Sequence, residues 1–135
     1  SHMIPGVIRR VHESKKFNHD IVEIWGDGKA RREFMYVKDL VDFIYFSILN
    51  FDRIPLTLNV GMGVDYSINE YYKTIAEVVG YNGKFKHDLS KPVGMKRKLV
   101  DISKLEDLGW RSTTSLKEGV KKTYEFFLNN YSNEI

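Results

Sequence analysis

Two segments of the chain carry side chains that can bind an anion, and the first also carries an aromatic ring. In residues 25–34, Trp25 precedes a Gly-Asp-Gly turn, and Lys29, Arg31 and Arg32 follow within four residues. Arginine donates paired, charge-assisted hydrogen bonds to phosphates, and lysine adds a mobile point charge. An indole can stack on a flat ring. These residue types suit a ligand that has both a ring and an anionic group.

The second basic segment is residues 90–98, which contain four cations and a backbone restricted by Pro92. The spacing alone leaves two interpretations open for both segments. Each is as typical of a solvated surface loop as of an anion site, because loops carry charge for both reasons. A lone tryptophan at a strand end, such as Trp25, is more often a core residue than a ligand contact.

Several other kinds of site are excluded. The chain has no cysteine, which rules out disulfides, thiolate nucleophiles and cysteine-ligated zinc. His12, His19 and His87 lack the spacing of metal ligands, so no metal site is predicted. Residues 61–63 form a Gly-Met-Gly turn without the third glycine of a dinucleotide loop, and we predict a structural turn there. A complete dinucleotide-binding domain is therefore not expected in this chain.

Length and charge narrow the class of protein. The 135 residues are enough for one compact domain, which we assign to residues 1–135. The net charge of +3 is far below the basicity of proteins that bind long phosphate backbones, which favours a small anionic ligand over nucleic acid. No apolar run approaches the roughly 20 residues of a membrane helix, and no signal peptide pattern begins the chain. We expect a cytoplasmic protein with no membrane partner.

Hydrophobic periodicity and breaker residues predict the elements that position these segments. Helices are predicted at Ile4–Lys16, Val37–Leu49, from Ile68 to Gly80, from Ser103 to Gly109, and from Ser115 onward. Strands are predicted at Ile21–Trp25, Thr57–Val60 and Lys84–Asp88. Ser-x-x-Glu capping boxes are expected at Ser67, Ser103 and Ser115. The pattern indicates an α/β or α+β lobe with about four main helices and short strands.

Two helices have defined apolar faces. The helix at Val37–Leu49 has the clearest amphipathic stripe, with apolar residues at i, i+3, i+4 and i+7. Its members are Val37, Leu40, Val41, Ile44, Tyr45, Ile48 and Leu49. The last helix is predicted to turn Leu116, Val120, Tyr124, Phe127 and Leu128 inward.

A series of short phrases runs from one end of the chain to the other in the order found in a known family. The phrases are residues 1–6, 8–10, 25–28, 32–34, 37–39, 59–63, 90–92, 97–101 and 108–110. Together they resemble the C-terminal region of the GDP-L-fucose synthases, which are extended short-chain dehydrogenase/reductases. The Arg-Glu-Phe and Asn-Val-Gly phrases recur widely among sugar-nucleotide enzymes, whereas Ser-Lys-Pro and Arg-Lys-Leu-x-Asp are narrower.

The resemblance implies the small substrate-binding lobe of an NADPH-dependent epimerase-reductase. Such an enzyme epimerises C3 and C5 of a GDP-4-keto-6-deoxy-mannose-like sugar and then reduces the C4 ketone. By the same resemblance, the N-terminal Rossmann domain, the NADP site, a partner cysteine and the reductive Ser, Tyr and Lys lie upstream of residue 1. The lobe alone would be inactive, the full-length enzyme would be a homodimer, and a separated lobe could self-associate.

The resemblance also assigns roles to six residues. His2 matches the family's proton-donating histidine in its His-x-Ile-Pro phrase. Four further residues fall on positions that contact the GDP-sugar, and a fifth falls near another nucleotide contact. The four are Arg10, Trp25, Arg32 and Lys98, and the fifth is Lys84. Residues 1–3 also match the scar that is left by some expression tags, so the native origin of His2 stays open.

Departures from the family pattern leave the substrate open. Val93 stands where the family commonly has an acidic residue, and Met95-Lys96 replaces a more usual Thr-Pro pair. One alternative is another nucleotide-sugar epimerase or dehydratase, for example one that acts on a GDP-heptose. A second alternative is a non-enzymatic basic binding module, which the two basic segments and the abundant aromatic residues would also fit.

Overall fold

The computed structural model describes residues 2–131, so Ser1 of the Ser-His-Met phrase lies outside them. These residues form two compact units. The first unit comprises residues 2–30, 67–96 and 115–131, and the second comprises residues 31–66 and 97–114. The chain therefore passes from one unit to the other four times.

The described residues contain five α-helices and five short strands. The helices are α1 (Met3–Lys16), α2 (Val37–Leu49), α3 (Ile68–Val79), α4 (Ser103–Asp107) and α5 (Leu116–Tyr131). The strands are β1 (Ile21–Trp25), β2 (Arg31–Arg32), β3 (Tyr66–Ser67), β4 (Lys84–Asp88) and β5 (Arg97–Lys98). Strands β1 and β4 form one sheet, and a second sheet has the order β3-β2-β5. Four long helices with short strands match the predicted α/β class.

The first unit packs helices against one face of the β1–β4 pair. The two strands are parallel, and their register places Ile21 opposite Lys84 and Trp25 opposite Asp88. Val22 and Ile24 are buried, whereas the alternate residues of β1 are exposed, as expected for a strand with one covered face. The buried core of the first unit consists of Val7, Ile8, Val11, Val22, Ile24, Tyr72, Ile75, Ala76, Val79, Tyr81 and Val120.

Helix α3 shows how closely local sequence sets an element's bounds. Ser67 Oγ accepts a hydrogen bond from the Glu70 backbone N–H at 3.2 Å, and Glu70 Oε2 accepts one from the Ser67 N–H at 2.7 Å. This is the predicted capping box. At the other end, Gly80 takes a left-handed conformation with φ of 72°, which ends the helix. The prediction for this helix is confirmed at both ends.

The second unit has a smaller core. Phe43 of α2, Leu105 of α4 and Trp110 are its buried apolar residues, and Trp110 Nε1 donates to Asp42 Oδ2 at 2.9 Å. At the start of α2, the buried Asp39 carboxylate accepts hydrogen bonds from the hydroxyls of Ser112 and Thr114. These contacts attach the segment after α4 to α2.

Helix α2 forms where the periodicity predicted it, but none of residues 2–131 covers its apolar stripe. All seven stripe residues are exposed, whereas Phe43 and Asp39 are buried on the other side. A helix that is apolar on both sides is normally buried on both sides. The sequence pattern therefore identified the helix correctly and gave no indication of what covers its outer face.

Three local predictions are wrong. Residues 57–60 form no strand, because a strand requires a hydrogen-bonded neighbour and these residues pair with none of the described strands. No capping box forms at Ser103, since its backbone N–H donates instead to Asp101 Oδ1 at 2.9 Å. Leu128 is 37% exposed and lies outside the first unit's core. Val120 is buried in that core, and Leu116, Tyr124 and Phe127 pack against the core as expected.

None of the described helices is both long enough and apolar enough to span a membrane.

Candidate functional site

The six residues singled out from the sequence divide between the two units. His2, Arg10, Trp25 and Lys84 belong to the first unit, and Arg32 and Lys98 belong to the second. Each group has its own local geometry.

In the first unit, Glu23 links Arg10 to Trp25. Arg10 Nη1 donates to the Glu23 backbone oxygen at 3.1 Å and to Tyr72 Oη at 3.3 Å. Trp25 Nε1 donates to Glu23 Oε1 at 3.1 Å. The indole is 59% exposed, so Trp25 is not the core residue that its position at a strand end could have indicated. Arginine and indole are therefore fixed close together, and the indole is accessible.

The sequence interpretation missed both Glu23 and Tyr72. Glu23 lies two residues before Trp25 on the exposed face of β1, and this spacing could have pointed to it. Tyr72 comes from α3, far along the chain, and no local pattern identifies it. Burial raises the pKa of Tyr72, so its phenol stays protonated near Arg10 over the physiological pH range.

The loop after β4 lies against the Trp25 turn. Lys91 Nζ sits 5.6 Å from the centre of the Trp25 ring, within the range of a cation–π contact. A Cβ added to Gly26 would lie 2.9 Å from Val93 Cγ2. The predicted aromatic segment and the first part of the predicted basic loop are thus neighbours in space.

The turn itself is fixed by Asn69. Its side-chain amide donates to the Asp27 backbone oxygen at 3.1 Å, and its backbone N–H donates to the Gly28 oxygen at 3.0 Å. His87 Nε2 donates to Asn69 Oδ1 at 2.8 Å. Gly28 has φ of 68°, and a Cβ there would lie 1.9 Å from Asn69 Oδ1. Any other residue here would be strained and would force the Asn69 side chain to move, so the turn that follows Trp25 favours glycine.

His2 and Lys84 lie apart from this cluster. His2 is exposed and occupies the residue just before α1. It lies eight residues before Arg10, which is about 12 Å along a helix. Lys84 pairs with Ile21, at the opposite end of β1 from Trp25. Four residues of strand correspond to about 13 Å. The structure therefore brings Arg10 and Trp25 together, but not Lys84 with Trp25 or His2 with Arg10.

In the second unit, Arg32 and Lys98 are direct neighbours. Strands β2 and β5 are parallel, with Arg31 opposite Arg97 and Arg32 opposite Lys98. Paired strands lie about 4.8 Å apart, and successive side chains point to opposite faces. Arg32 and Lys98 thus share one face of the ladder, and the other arginine pair shares the opposite face. This register unites the two predicted basic segments.

The opposite face holds a buried carboxylate. Asp65 is 4% exposed; its Oδ1 accepts from Arg31 Nε at 2.8 Å and its Oδ2 from Arg97 Nε at 2.5 Å. Arg31 Nη2 also donates to the Asp65 backbone oxygen at 2.7 Å. The hydrogen bond from Arg97, reinforced by the one from Arg31, lowers the pKa of Asp65 below its ordinary value. The sequence interpretation missed Asp65.

A second carboxylate, that of Glu33, holds the Gly-Met-Gly turn at 61–63. Its Oε1 accepts from the backbone N–H groups of Met62 at 2.5 Å and Gly63 at 2.8 Å. Its Oε2 accepts from the Val100 N–H at 3.3 Å. The turn is therefore structural, as the sequence predicted.

A cleft of about 260 Å³ also lies in the second unit, and none of the six predicted residues lines it. Its walls are Thr57, Leu58, Asn59, Asp101, Ser103 and Lys104. Across residues 2–131, no cluster of three or more His, Asp or Glu side chains could hold a metal ion.

Comparisons with known proteins place this geometry in a family context. The sequence model of the NAD dependent epimerase/dehydratase family matches residues 1–61. The chain is 52% identical to the GDP-L-colitose synthase of Yersinia pseudotuberculosis, over 99% of this chain and 44% of that protein. It is 42% identical to the GDP-L-fucose synthase of Azorhizobium caulinodans, over 100% of this chain and 43% of that protein. The chain therefore spans less than half the length of these relatives.

A solved structure shows the same fold. The GDP-mannoheptose C4 reductase from Campylobacter jejuni, with NADP bound, is 34% identical and superposes with a TM-score of 0.83. The match covers 95% of this chain and 45% of that chain. Together these comparisons confirm the resemblance that the phrases indicated and the predicted fold class.

Proposed function

We propose that this chain is the substrate-binding part of an NADP-dependent epimerase-reductase, because residues 1–61 match the model of the NAD dependent epimerase/dehydratase family and the chain is similar to GDP-sugar synthases. Its substrate in this proposal is a GDP-linked 4-keto-6-deoxy sugar, in keeping with the names of its relatives. The observation that carries the proposal is the pairing of Arg32 with Lys98 on adjacent strands. Two cations on one face at this spacing suit the two phosphates of a nucleoside diphosphate.

Each proposed contact has its own physical role. Arg32 offers a planar guanidinium for paired hydrogen bonds to phosphate oxygens, and Lys98 adds a point charge. In the first unit, we assign Trp25 to stacking against a flat part of the ligand and Arg10 to an anionic or carbonyl oxygen. We assign Lys84 to a separate contact near the nucleotide, since it lies at the opposite end of the β1–β4 pair from Trp25.

We propose that His2 returns a proton during epimerisation. A ketone acidifies the carbons on both sides, and inversion requires a proton to leave one face and another to arrive at the opposite face. An imidazole can exchange protons near neutral pH. His2 is exposed, and its side chain makes no capping hydrogen bond to α1, so its replacement should leave the fold intact.

The glycine turn of this chain does not suit the phosphates of a cofactor. The N–H groups of Met62 and Gly63, which would face a phosphate, are already bonded to Glu33. We therefore propose that NADP, which would supply the hydride, is held by the part of the protein that this chain does not span. The exposed stripe of α2 supports the same division, since an apolar face of seven residues is normally covered.

A GDP-heptose is a second candidate substrate. The similarity to GDP-mannoheptose C4 reductase favours it, and Val93, which stands where the fucose synthases commonly have an acidic residue, leaves the sugar open. Product analysis of the full-length enzyme with a GDP-4-keto-6-deoxy-hexose and with a GDP-4-keto-heptose separates the two candidates.

The decisive experiment compares matched arginine and lysine variants of the full-length enzyme. Arg32→Ala and Lys98→Ala should each raise the KM for the GDP-sugar by about 10- to 100-fold, because each loses a charge-assisted hydrogen bond. Arg111→Ala is the control, since Arg111 is an exposed cation of the same unit that pairs with Glu106. Unchanged KM values in both test variants would refute the proposal.

His2 has a separate test. His2→Asn should lower turnover by about 10²- to 10⁴-fold through loss of general acid catalysis while leaving the affinity for GDP unaltered. Incorporation of solvent deuterium at the carbons beside the ketone measures the step directly. Wild-type incorporation and turnover in His2→Asn would show that another group supplies the proton.

A further inference from the structure

We infer that Asp65 is a positioning residue that sets the spacing of Arg32 and Lys98 without contacting the ligand. The inference rests on the proposed function of that pair. It concerns a residue that neither the sequence motifs nor the family phrases single out.

The ladder formed by β2 and β5 has an electrostatic problem. It is two residues long, and all four of its residues are cations, two on each strand. Like charges placed directly opposite each other in a sheet repel and destabilise the pairing. So short a ladder also has few backbone hydrogen bonds to oppose that repulsion. Some further contact must hold these strands at a fixed distance.

Asp65 provides that contact. One carboxylate oxygen binds Arg31 of β2, and the other binds Arg97 of β5, at 2.8 and 2.5 Å. Asp65 immediately precedes β3, the strand on the other side of β2, so the clamp ties the three strands of the sheet together. The carboxylate is almost fully buried, whereas the side chains of Arg31 and Arg97 are 42% and 62% exposed. The anion is thus the enclosed centre of the cluster.

The clamp acts on the face opposite to the proposed ligand. Successive side chains of a strand alternate, so Arg31 and Arg97 point to the Asp65 side while Arg32 and Lys98 point away from it. The separation of Arg32 from Lys98 nevertheless follows from the register that Asp65 fixes on its own side. Asp65 therefore affects anion binding through the backbone of β2 and β5.

The direction in which anion affinity changes when Asp65 is replaced shows whether Asp65 acts through the position it gives the strands or through its charge. Asp65→Asn keeps the shape of the side chain but removes one negative charge from a basic cluster. If Asp65 acted only through its charge, its loss would make the region more positive and an anion would bind more tightly. If Asp65 sets the register, the two strands separate and the anion binds more weakly. The two mechanisms predict opposite changes.

The test measures the affinity of the full-length protein for GDP by titration calorimetry. We expect Asp65→Asn to weaken GDP binding by about tenfold, because a misplaced ion pair loses much of its contribution. Asp65→Glu, which restores the charge at a shifted position, should recover only part of that loss. The affinity for NADPH should stay within twofold, which a general loss of structure would not allow. Asp107→Asn, at an exposed carboxylate of the same unit, is the matched control and should have no effect.

The outcomes separate this inference from the proposed function. Arg32→Ala and Lys98→Ala must first weaken GDP binding, and if neither does, the proposed function fails. If they do and Asp65→Asn binds GDP as tightly as the wild type or more tightly, the positioning role is refuted. Should Asp65→Asn fail to fold, Asp65→Glu decides: weaker GDP binding with NADPH binding intact supports the inference, and unchanged GDP binding overturns it.

Discussion

The two units of this chain satisfy their apolar surfaces in different ways. The first unit has one core cluster of eleven buried apolar residues, contributed by its helices, β1 and Tyr81. The second unit encloses three and leaves the stripe of α2 exposed. Polar clamps at Asp39, Glu33 and Asp65 hold much of the second unit's remaining structure. The first unit thus has an extensive apolar core of its own, whereas the second has a small core and an apolar helix face that the described residues leave uncovered.

The largest expected effect tests this difference directly. Ile44→Lys places a charge in the α2 stripe, and in the full-length protein it should cost about 3–5 kcal/mol if the rest of the protein covers that face. In the 135-residue chain the same change should alter the free energy of unfolding by less than about 0.5 kcal/mol and reduce self-association. Denaturant unfolding and light scattering measure both, with Lys73→Glu on α3 as the control. Equal tolerance in both forms would show that α2 is a true surface.

Truncation of one isoleucine in each unit, buried in the first and exposed in the second, gives the next largest difference. Ile75→Ala removes a fully buried side chain from the first unit and should cost about 2–5 kcal/mol, because it leaves a cavity. Ile48→Ala removes the same atoms from the exposed stripe and should cost less than about 0.5 kcal/mol in the 135-residue chain. Urea unfolding of the two variants checks this. Similar costs would mean that the α2 stripe is already buried in this chain, for example by self-association.

A smaller effect is expected at the Trp25 turn. Gly28→Ala forces a side chain into a left-handed conformation and against Asn69 Oδ1, which should cost about 1–3 kcal/mol. Gly109 has φ of 85° but nothing near its Cβ position, so Gly109→Ala carries the strain without the contact and should cost less. Thermal unfolding of the pair isolates the contribution of the contact. Equal losses would show that Asn69 moves aside.

The smallest effects are pH dependences, and they differ between the units. Burial lowers the pKa of His12 in the first unit, and Lys16 and Lys15 lower it further, while Glu13 opposes them. The contribution of neutral His12 to the free energy of unfolding is complete above pH 6.5, the ordinary pKa of histidine. It is lost as the pH falls from 6.5 toward the lower pKa that His12 has in the folded state. His12→Gln should remove this dependence below pH 6.5, as measured by the free energy of unfolding. An unchanged pH profile would contradict it.

In the second unit the corresponding group is Asp65. Its pKa is lowered by Arg97 and then by Arg31, so its stabilising contribution is complete above pH 3.8 and is lost only in stronger acid. Asp65→Asn should flatten the stability profile below pH 3.8 and leave the profile above pH 5 parallel to that of the wild type. A difference in slope near pH 6 would assign the acid sensitivity to another group.

Local signals predicted most of the first unit. The capping box at Ser67, the left-handed Gly80 and the alternation in β1 lie within a few residues of the structure they specify. The family phrases pointed to Arg32 and Lys98 as candidate ligand contacts, but neither spacing nor phrase showed that they are register partners. Asp65, which bonds to both strands of that ladder, lies more than thirty residues from each of its two arginine partners. Contacts of this length leave no periodic signal in a single sequence.

Two failures of prediction, the strand at 57–60 that does not form and the α2 stripe that is exposed, have the same physical origin. A sequence can show that a segment is extended and apolar, or helical with an apolar stripe. Whether a strand forms, or a stripe is buried, depends on a neighbour that is elsewhere in the chain or outside it. The same reasoning explains why Glu23 and Tyr72 were missed, since they are singled out only by the residues they contact, which a single sequence does not show.

The bond between Glu33 and the turn at 61–63 has a consequence for the use of glycine motifs. Two consecutive backbone N–H groups that converge on an oxyanion form a nest, the device by which phosphate loops hold nucleotides. Here the oxyanion is a carboxylate from the same chain. The Glu33 carboxylate thus takes the place that a phosphate oxygen would have in such a nest, and it occupies both N–H groups of the turn. A search for glycine-rich loops would report this turn as a possible phosphate site, although a side chain of the same chain already occupies its N–H groups.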